Sequence, residues 1–430
     1  MQKGVPGVPM TRRGMMIGTA ALPLAARLNA APAEGAARPD DERYWQMIAA
    51  QYDVTPQVIQ LENGNWGMMA RPVLAAYQRA VERVNRESSF YARRAMGADL
   101  YAVRLRVAAQ LGVSADEIAL TRNATEALQA LIYGYNRLRP GDAVLYADLD
   151  YDSMQGCFEG LRALRGVNVV RIALPEPATW HGLIDAYAQA FDANPKIRLV
   201  LLTHLSHRTG LVVPVREIVA LARSRGIDAI VDAAHSWGQL DFAFPDLGVD
   251  FAGFNLHKWM GAPLGVGVLY LRKTRVGDID PDPANGTSNP DEVQARVHTG
   301  TVDFAAQLTV PDALAFQAEI GTTPRAERLR WLRDRWAEPL RAVPDVEILT
   351  PTDPRLHGGI TSFRLKGKST AADNAALAKA LLDEFGIFTV QRTGVAGGAC
   401  VRVTPALFTT PSQIDALAAA VRTLARRLRS

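Results

Sequence analysis

Short apolar runs alternate with amphipathic stretches through the middle of this 430-residue chain. The runs have too few polar positions for a face in water, which is typical of strands covered on both sides. They span residues 118–121, 144–146, 167–172, 199–203, 229–232, 251–254 and 266–270. Helical periodicity covers residues 124–138, 153–164, 183–191 and 215–225. This alternation predicts an α/β fold, a mainly parallel sheet of about seven strands between two helical layers.

The pattern changes after residue 309, where two long helices are predicted over residues 311–320 and 325–343. Shorter strands and a closing helix from residue 412 then favour a second, smaller α+β domain. Its predicted strands are residues 359–365, 388–391 and 400–404. The closing helix has an apolar stripe that we expect to be core. The stripe consists of Ile414, Leu417, Val421, Leu424 and Leu428.

Domain boundaries follow from these changes of pattern. A first helix is predicted over residues 44–58, after a polar segment rich in proline and alanine. The predicted organisation is a leader at 1–33, a linker and arm at 34–70, a large domain at 71–322 and a small domain at 323–430.

Composition excludes several classes of protein. Hydrophobic residues make up 48% of the chain and charged residues 21%, which is ordinary for a globular protein. The formal net charge of +4 is small for this length, so nucleic-acid binding is not predicted. Cys157 and Cys400 form no disulfide framework and have no metal-ligand spacing. Each is expected to be a free or buried thiol.

The first residues resemble a twin-arginine export signal. Arg12 and Arg13 precede an apolar run at 17–28 and an Ala-Pro-Ala sequence at 31–33. The run is too short for a comfortable membrane span. The resemblance implies export of a folded protein by the twin-arginine machinery to the periplasm or the outside, without membrane insertion after cleavage. The alternative is an Arg-Arg pair that occurs by chance.

Lys258 stands in an unusual setting, in the sequence Phe-Asn-Leu-His-Lys-Trp-Met-Gly-Ala-Pro at residues 254–263. The predicted strand at 251–254 ends just before it, and a glycine-rich turn leads into the next strand. Burial shifts the pKa of a lysine readily, and imine chemistry uses that shift. Asp232 ends an earlier strand, at the edge of a parallel sheet where ligands bind.

These stretches resemble the class V aminotransferase group of fold-type I enzymes that use pyridoxal 5'-phosphate (PLP), which includes isopenicillin N epimerase-like proteins and cysteine desulfurases. The likeness runs from about residue 61 to the end and implies an aspartate aminotransferase-like αβα sandwich. It implies that Lys258 forms the Schiff base with PLP and that Asp232 pairs with the pyridine nitrogen, keeping it protonated. The alternative is a solvated lysine and a capping aspartate.

The resemblance also implies a phosphate site. Ala124 through its backbone and Thr125 through its hydroxyl lie where a strand runs into a helix, whose amino terminus attracts anions. The same residues could form an ordinary helix cap. Asn255 and His257 occupy family positions that touch the phosphate. Thr301 resembles the residue that reaches the phosphate of a neighbouring subunit, which implies a homodimer.

Other family positions would hold the cofactor ring. Tyr151 follows a strand where the family stacks an aromatic side chain on the cofactor, although a buried core tyrosine is the alternative. His207 and His235 resemble the residues beside the phenolic oxygen. His204 and His207 lack a third ligand of convincing spacing, so no metal site is predicted.

Recognition of an amino acid needs a group for its carboxylate, and a guanidinium fits it in bidentate fashion. Arg402 matches the carboxylate-binding arginine of the family. Arg392 is a second candidate for the same pocket, with a surface salt bridge as the alternative. Asn65 could approach the substrate from the amino-terminal arm.

The resemblance leaves the reaction open. Lys258 as the base at Cα serves both an aminotransferase, which the sequence analysis favours, and an amino-acid epimerase. A cysteine desulfurase or lyase is less favoured, because Gly397 stands where one branch carries its cysteine and Cys400 is offset. A non-catalytic binding protein is a further alternative, against which Lys258 and Asp232 argue. The expected ligand is an amino acid or its keto acid.

Overall fold

The computed structural model describes residues 37–286 and 289–427. Its helices are α1 (Glu42–Ala49), α2 (Arg71–Arg94), α3 (Met96–Leu111), α4 (Ala124–Gly134), α5 (Asp152–Arg165), α6 (Trp180–Ala193), α7 (Val215–Ser224), α8 (Phe304–Leu308), α9 (Val310–Ile320), α10 (Thr322–Arg341), α11 (Ala371–Phe385) and α12 (Pro411–Arg426). Its strands are β1 (Ile59–Gln60), β2 (Ile118–Thr121), β3 (Ala143–Ala147), β4 (Asn168–Ile172), β5 (Ile197–Thr203), β6 (Asp228–Asp232), β7 (Phe251–Asn255), β8 (Gly267–Leu271), β9 (Val346–Ile348), β10 (Thr361–Leu365), β11 (Ile387–Phe388), β12 (Val390–Arg392) and β13 (Cys400–Val403).

The predicted apolar runs form one large sheet. Within the described ranges it has seven strands in the order β2-β8-β7-β6-β5-β3-β4. Strand β8 runs antiparallel to β2 and β7, and the other neighbours pair in parallel. Every residue of β3, β7 and β8 is buried, as expected for strands without a face in water. The predicted mainly parallel seven-stranded sheet is therefore confirmed.

Helices cover the large sheet. Helix α4 packs on β7 and β8, while α5 contacts β3 and α7 contacts β6. The apolar core between the sheet and its helices includes Leu131, Phe158 and Phe251. This arrangement fixes the amino terminus of α4 against the ends of the central strands, where the candidate site lies.

A small antiparallel sheet has the order β12-β13-β10-β9. Its core contains Trp336 of α10, Phe363 of β10 and the apolar stripe of α12. The buried members of the predicted stripe are Ile414, Leu417, Val421 and Leu424. Its fifth member, Leu428, lies outside the described residues. The described residues cluster as one compact unit, and the domain boundary at 322/323 stays a prediction.

Several elements differ from the sequence predictions. Helix α1 ends at Ala49 and not at residue 58, because the carbonyl of Gln51 accepts from Arg71 N and Pro56 has no amide to donate. Helices α2 and α3 were not predicted. The strand predicted at 388–391 is divided between β11, which pairs with β1, and β12 of the small sheet. The predicted leader at 1–33 lies outside the described residues.

Candidate active site

The carboxyl ends of β5, β6 and β7 border a cavity of about 250 Å³. Its lining includes these residues predicted from the sequence: Asn65, Ala124, Thr125, Tyr151, His207, Asp232, His235, Asn255, His257, Lys258, Arg392 and Arg402. Among the predicted site residues in the described part of the chain, Thr301 alone does not line it. The geometry thus brings together side chains that lie up to 337 positions apart in the sequence, from Asn65 to Arg402.

Lys258 lies just after β7, in a turn held by the amino-terminal arm. The N–H of Gly67 donates to His257 O at 2.8 Å. A Cβ at position 67 would lie 1.9 Å from Lys258 O, so only glycine lets the arm approach this closely. The arm therefore supports the lysine backbone from outside the large sheet, and the sequence analysis did not predict this role for Gly67.

Asp232 ends β6 and is only 4% exposed. Its Oδ1 accepts a hydrogen bond from Ala234 N at 2.9 Å. Burial raises the pKa of this carboxyl, and the nearby positive charge of Lys258 opposes that shift. A buried carboxylate on a cavity wall calls for a cationic or hydrogen-bonding partner within the cavity.

The Lys258 amine is tuned toward its neutral form. Burial lowers its pKa to about 8; Asp232 opposes this shift, and the positive charges of Arg402 and Arg392 reinforce it. An amine with a pKa near neutrality is a competent nucleophile and base at physiological pH. The surroundings of Lys258 therefore suit it to both covalent attachment and proton transfer.

His235 connects Lys258 to Trp259. Its Nε2 lies 2.9 Å from Lys258 Nζ, and its Nδ1 accepts a hydrogen bond from Trp259 Nε1 at 3.2 Å. An indole N–H can only donate, so Nδ1 has no proton and the neutral ring has its proton on Nε2. Burial, first, and the charge of Lys258 hold the pKa of His235 well below its usual value. His235 is thus a neutral donor toward the lysine nitrogen.

The amino terminus of α4 forms another wall. Asn123 caps the helix, its Oδ1 accepting from Glu126 N at 2.8 Å. The N–H of Ala124 donates to Asn255 Oδ1 at 2.8 Å, so this predicted phosphate donor already has a protein partner. Thr125 and the positive end of the helix dipole also lie at the cavity. An anion bound here would meet hydrogen-bond donors on a helix end.

His257 points its Nδ1 at Val266 O, 3.0 Å away. Since a carbonyl only accepts, Nδ1 has the proton, and burial lowers the pKa of the ring to about 4.

Tyr151 is partly exposed and contacts the His207 ring edge to face, with ring centroids 5.1 Å apart. Burial, first, and the charge of Arg208 hold the pKa of His207 well below its usual value. Tyr151 is therefore at the cavity wall and not in the core.

Two arginines and a glutamate mark the opposite end of the cavity. Arg402 is almost completely buried, donating to His207 O at 2.7 Å and to Glu62 Oε1 at 2.5 Å. Arg392 NH2 lies 3.6 Å from the same Glu62 oxygen. Arg392 therefore belongs to the site cluster and is not a surface salt bridge. Glu62 is not predicted from the sequence, because no local pattern marks a residue that pairs 340 positions away.

The residues present fit PLP. A buried carboxylate suits a pyridinium nitrogen, the end of α4 with Thr125 suits a phosphate, and Lys258 suits an aldehyde. Each of these groups lines the same cavity. The individual contacts assigned from the sequence stay predictions.

The comparisons with known proteins agree with this donor set. The family model described as aminotransferase class-V matches residues 68–417. The chain belongs to the class-V aminotransferase family. Members of this family use PLP, which is the cofactor of this enzyme.

The chain is similar to two isopenicillin N epimerases. It is 30% identical to that of Streptomyces clavuligerus over 397 residues, covering 88% of this chain and 98% of the relative. It is 29% identical to that of Amycolatopsis lactamdurans over 400 residues, covering 89% and 99%. A cysteine desulfurase structure from Thermococcus onnurineus has a TM-score of 0.76 at 20% identity, covering 91% of this chain and all of the other. That likeness shows the fold-type I architecture.

Proposed function

We propose that this enzyme breaks and remakes the bond between Cα and its hydrogen in an amino acid. The observation that carries the proposal is the presence of Lys258, with its lowered pKa, and Asp232 in one buried cavity. When bound, PLP supplies a ring that takes up the electron pair left when a bond to Cα breaks.

The side chains divide the remaining work. Lys258 removes the Cα proton, because its amine is neutral in much of the population near pH 8. Return of a proton to the same face of Cα restores the substrate, whereas delivery of a proton to the opposite face inverts it. Asp232 holds the ring nitrogen in its protonated form. His235, with its proton on Nε2, donates a hydrogen bond beside the lysine and does not compete with it as a base.

Of the possible outcomes, epimerisation has the stronger support. Two relatives named isopenicillin N epimerase match almost the whole chain. The sequence analysis favoured transamination, and the name of the family also supports that outcome. We therefore propose epimerisation first and transamination second.

Cysteine desulfurisation by a thiol of this chain has little support. The Cys400 side chain is fully buried on β13, where Sγ contacts Arg208 O at 3.8 Å. Burial raises its thiol pKa to about 11. A sulfur-accepting cysteine needs an accessible thiolate. Gly397 stands in the loop before β13 and has no thiol.

Deuterium oxide separates the proposed reactions. The PLP-loaded enzyme is incubated with a panel of amino acids that includes isopenicillin N, and mass spectrometry measures deuterium at Cα. Chiral chromatography then detects inversion, and a keto-acid assay detects transamination. We expect deuterium with inversion for at least one substrate. If an enzyme with a visible cofactor band introduced no deuterium at Cα of any compound, the proposal would be refuted.

Two lysine variants control this experiment. Lys258→Ala should lose deuterium incorporation, and borohydride reduction of the loaded wild type should attach the cofactor to Lys258 alone. Lys273→Ala removes an exposed lysine that pairs with Asp116 and does not line the cavity. We expect this variant to keep both the deuterium incorporation and the attachment of the cofactor to Lys258.

We also propose a homodimer and export by the twin-arginine route. Apolar side chains are exposed on α2 and α3, as surfaces that bind a second subunit often are. They include Phe90, Tyr101 and Leu105, exposed by 74%, 48% and 46%. The position of Thr301 outside the cavity of its own chain fits a role in the cavity of a second copy. Arg12 and Arg13 support the export proposal.

A further inference from the structure

The carboxylate of Glu62 is shared by two guanidinium groups at the end of the cavity. Its Oε1 accepts from Arg402 NH2 at 2.5 Å and lies 3.6 Å from Arg392 NH2. Both arginines line the cavity, and Arg392 is the more exposed, with 30% of its side chain accessible. Glu62, with only 6% of its side chain accessible, is not among the described residues that line the cavity, but it neutralises part of the positive charge that a substrate carboxylate would meet there.

Glu62 is held in place by the backbone around it. Leu61 O accepts from Thr404 N at 2.9 Å, and Asn63 N donates to Thr404 Oγ1 at 2.6 Å. The Asn63 side chain also donates to Thr404 O at 2.7 Å. These bonds attach residues 61–63 to Thr404, which directly follows β13 and lies two positions after Arg402. These hydrogen bonds hold the backbone of Glu62 in place, so we expect its carboxylate to stay beside the two arginines when a substrate binds.

The charges at this end do not cancel. Arg392 and Arg402 contribute two positive charges and Glu62 one negative charge. Burial, first, and the positive charge of Arg402 lower the pKa of Arg392 to about 10, which shows how closely the two cations act on each other. One substrate carboxylate completes the balance, whereas a second would bring excess negative charge close to the Glu62 carboxylate beside these arginines. Like charges so placed are a common means of rejecting a wrong ligand.

We propose that Glu62 determines specificity by excluding amino acids that have a second carboxylate close to the first. The site accepts an amino acid that presents a single carboxylate to Arg392 and Arg402. This inference rests on the proposed function, because it requires an amino acid to bind in this cavity.

Asparagine and aspartate test the inference because they have nearly the same shape and differ in charge. Each is titrated into PLP-loaded enzyme, and the change in visible absorption gives Kd. We expect the wild type to bind asparagine at least about tenfold more tightly than aspartate. Glu62→Gln keeps the shape of the side chain and should reduce this ratio about tenfold. Glu62→Asp keeps the charge and should preserve the preference.

Sulfate provides a probe that does not depend on the natural substrate. Isothermal titration of the loaded enzyme should show about tenfold tighter sulfate binding to E62Q than to wild type. Adding Arg392→Gln to E62Q should remove the gain. The matched control is Glu42→Gln. Glu42 pairs with buried Arg328, and neither residue lines the cavity, so this variant should leave the sulfate affinity unchanged.

The outcomes separate the two proposals. If E62Q retains the visible band but changes neither the asparagine preference nor the sulfate affinity, the role of Glu62 is refuted and the proposed function stands. If neither amino acid binds, the sulfate titration alone tests the role of Glu62. A loss of Cα exchange in the wild type would instead refute the proposed function.

Discussion

Lys258 Nζ lies 2.9 Å from His235 Nε2, on the side of the imidazole opposite Trp259. This contact depends on the tautomer of His235, which Trp259 sets because it can only donate to Nδ1. When Lys258 is neutral, its lone pair accepts from Nε2–H. Trp259 is thereby a positioning residue that acts through His235.

The first prediction concerns Trp259→Phe. Phenylalanine fills most of the same space but donates no hydrogen bond, so the His235 proton should distribute over both ring nitrogens. Nitrogen-15 NMR of histidine-labelled protein reports the tautomer, and a His235→Asn spectrum assigns the signal. We expect Nε2–H in the wild type, a mixture in the variant, and a fall in Cα exchange on the order of tenfold. A wild-type ring protonated on Nδ1 would contradict this arrangement.

The second prediction concerns the pH at which Lys258 reacts. Brief acetylation of the cofactor-free enzyme, followed by peptide mass spectrometry, should give a midpoint near pH 8 for this lysine. Asp232 raises the Lys258 pKa, so Asp232→Asn should move the midpoint lower. Arg392 lowers that pKa, so Arg392→Gln should move it higher. Shifts of the opposite sign would show that these charges do not control the amine.

The third prediction concerns the buried thiol. Cys400→Ala should retain Cα exchange within about twofold, since the side chain lies in the core and does not line the cavity. Native wild-type protein should also react slowly with iodoacetamide at this position, and denaturation should accelerate the reaction. Rapid native labelling, together with sulfide release that disappears in the variant, would favour a desulfurase.

The fourth prediction concerns assembly. Tyr101 and Leu105 lie one turn apart on α3, so Leu105→Glu should place a charge in the proposed dimer contact and shift the protein toward monomers. Light scattering after gel filtration measures the mass. Leu164→Glu on α5, where the leucine is 64% exposed, provides the control and should remain dimeric. A wild-type monomer at micromolar concentration would contradict the proposal.

The fifth prediction concerns export. Replacing Arg12 and Arg13 with lysine should retain the precursor inside the cell, because the twin-arginine route reads this pair. Cell fractionation with immunoblotting measures the distribution. Replacing Arg27 and Lys3, two other basic residues of the leader, serves as the control and should permit export. Equal export of all forms would show that the pair is not the signal.

The large sheet could be predicted because its strands are buried on both faces and so appear as apolar runs. The site followed from the same pattern, since Asp232 and Lys258 stand at or just beyond strand ends that a parallel sheet brings together. Helix α3 escaped prediction because apolar residues such as Tyr101 and Leu105 are exposed beside buried ones, which blurs its amphipathic stripe.

Long-range partners set the limit of sequence reasoning here. Glu62 meets Arg402 because β1 joins β11 and because Thr404 binds residues 61 and 63, and none of these contacts has a local signature. The Trp259 bond to His235 likewise depends on how two loops pack together. Residue types identified the chemistry, whereas the arrangement of charges required the folded chain.

The bond between Asn63 and Thr404 joins residues 341 positions apart. The arm therefore cannot dock until Thr404 has left the ribosome, so the pocket is completed long after Lys258 and Asp232 have been made. A chain that stops short of Thr404 would still contain Lys258 and Asp232, but the bonds that hold Asn63 and its neighbours beside the two arginines could not form.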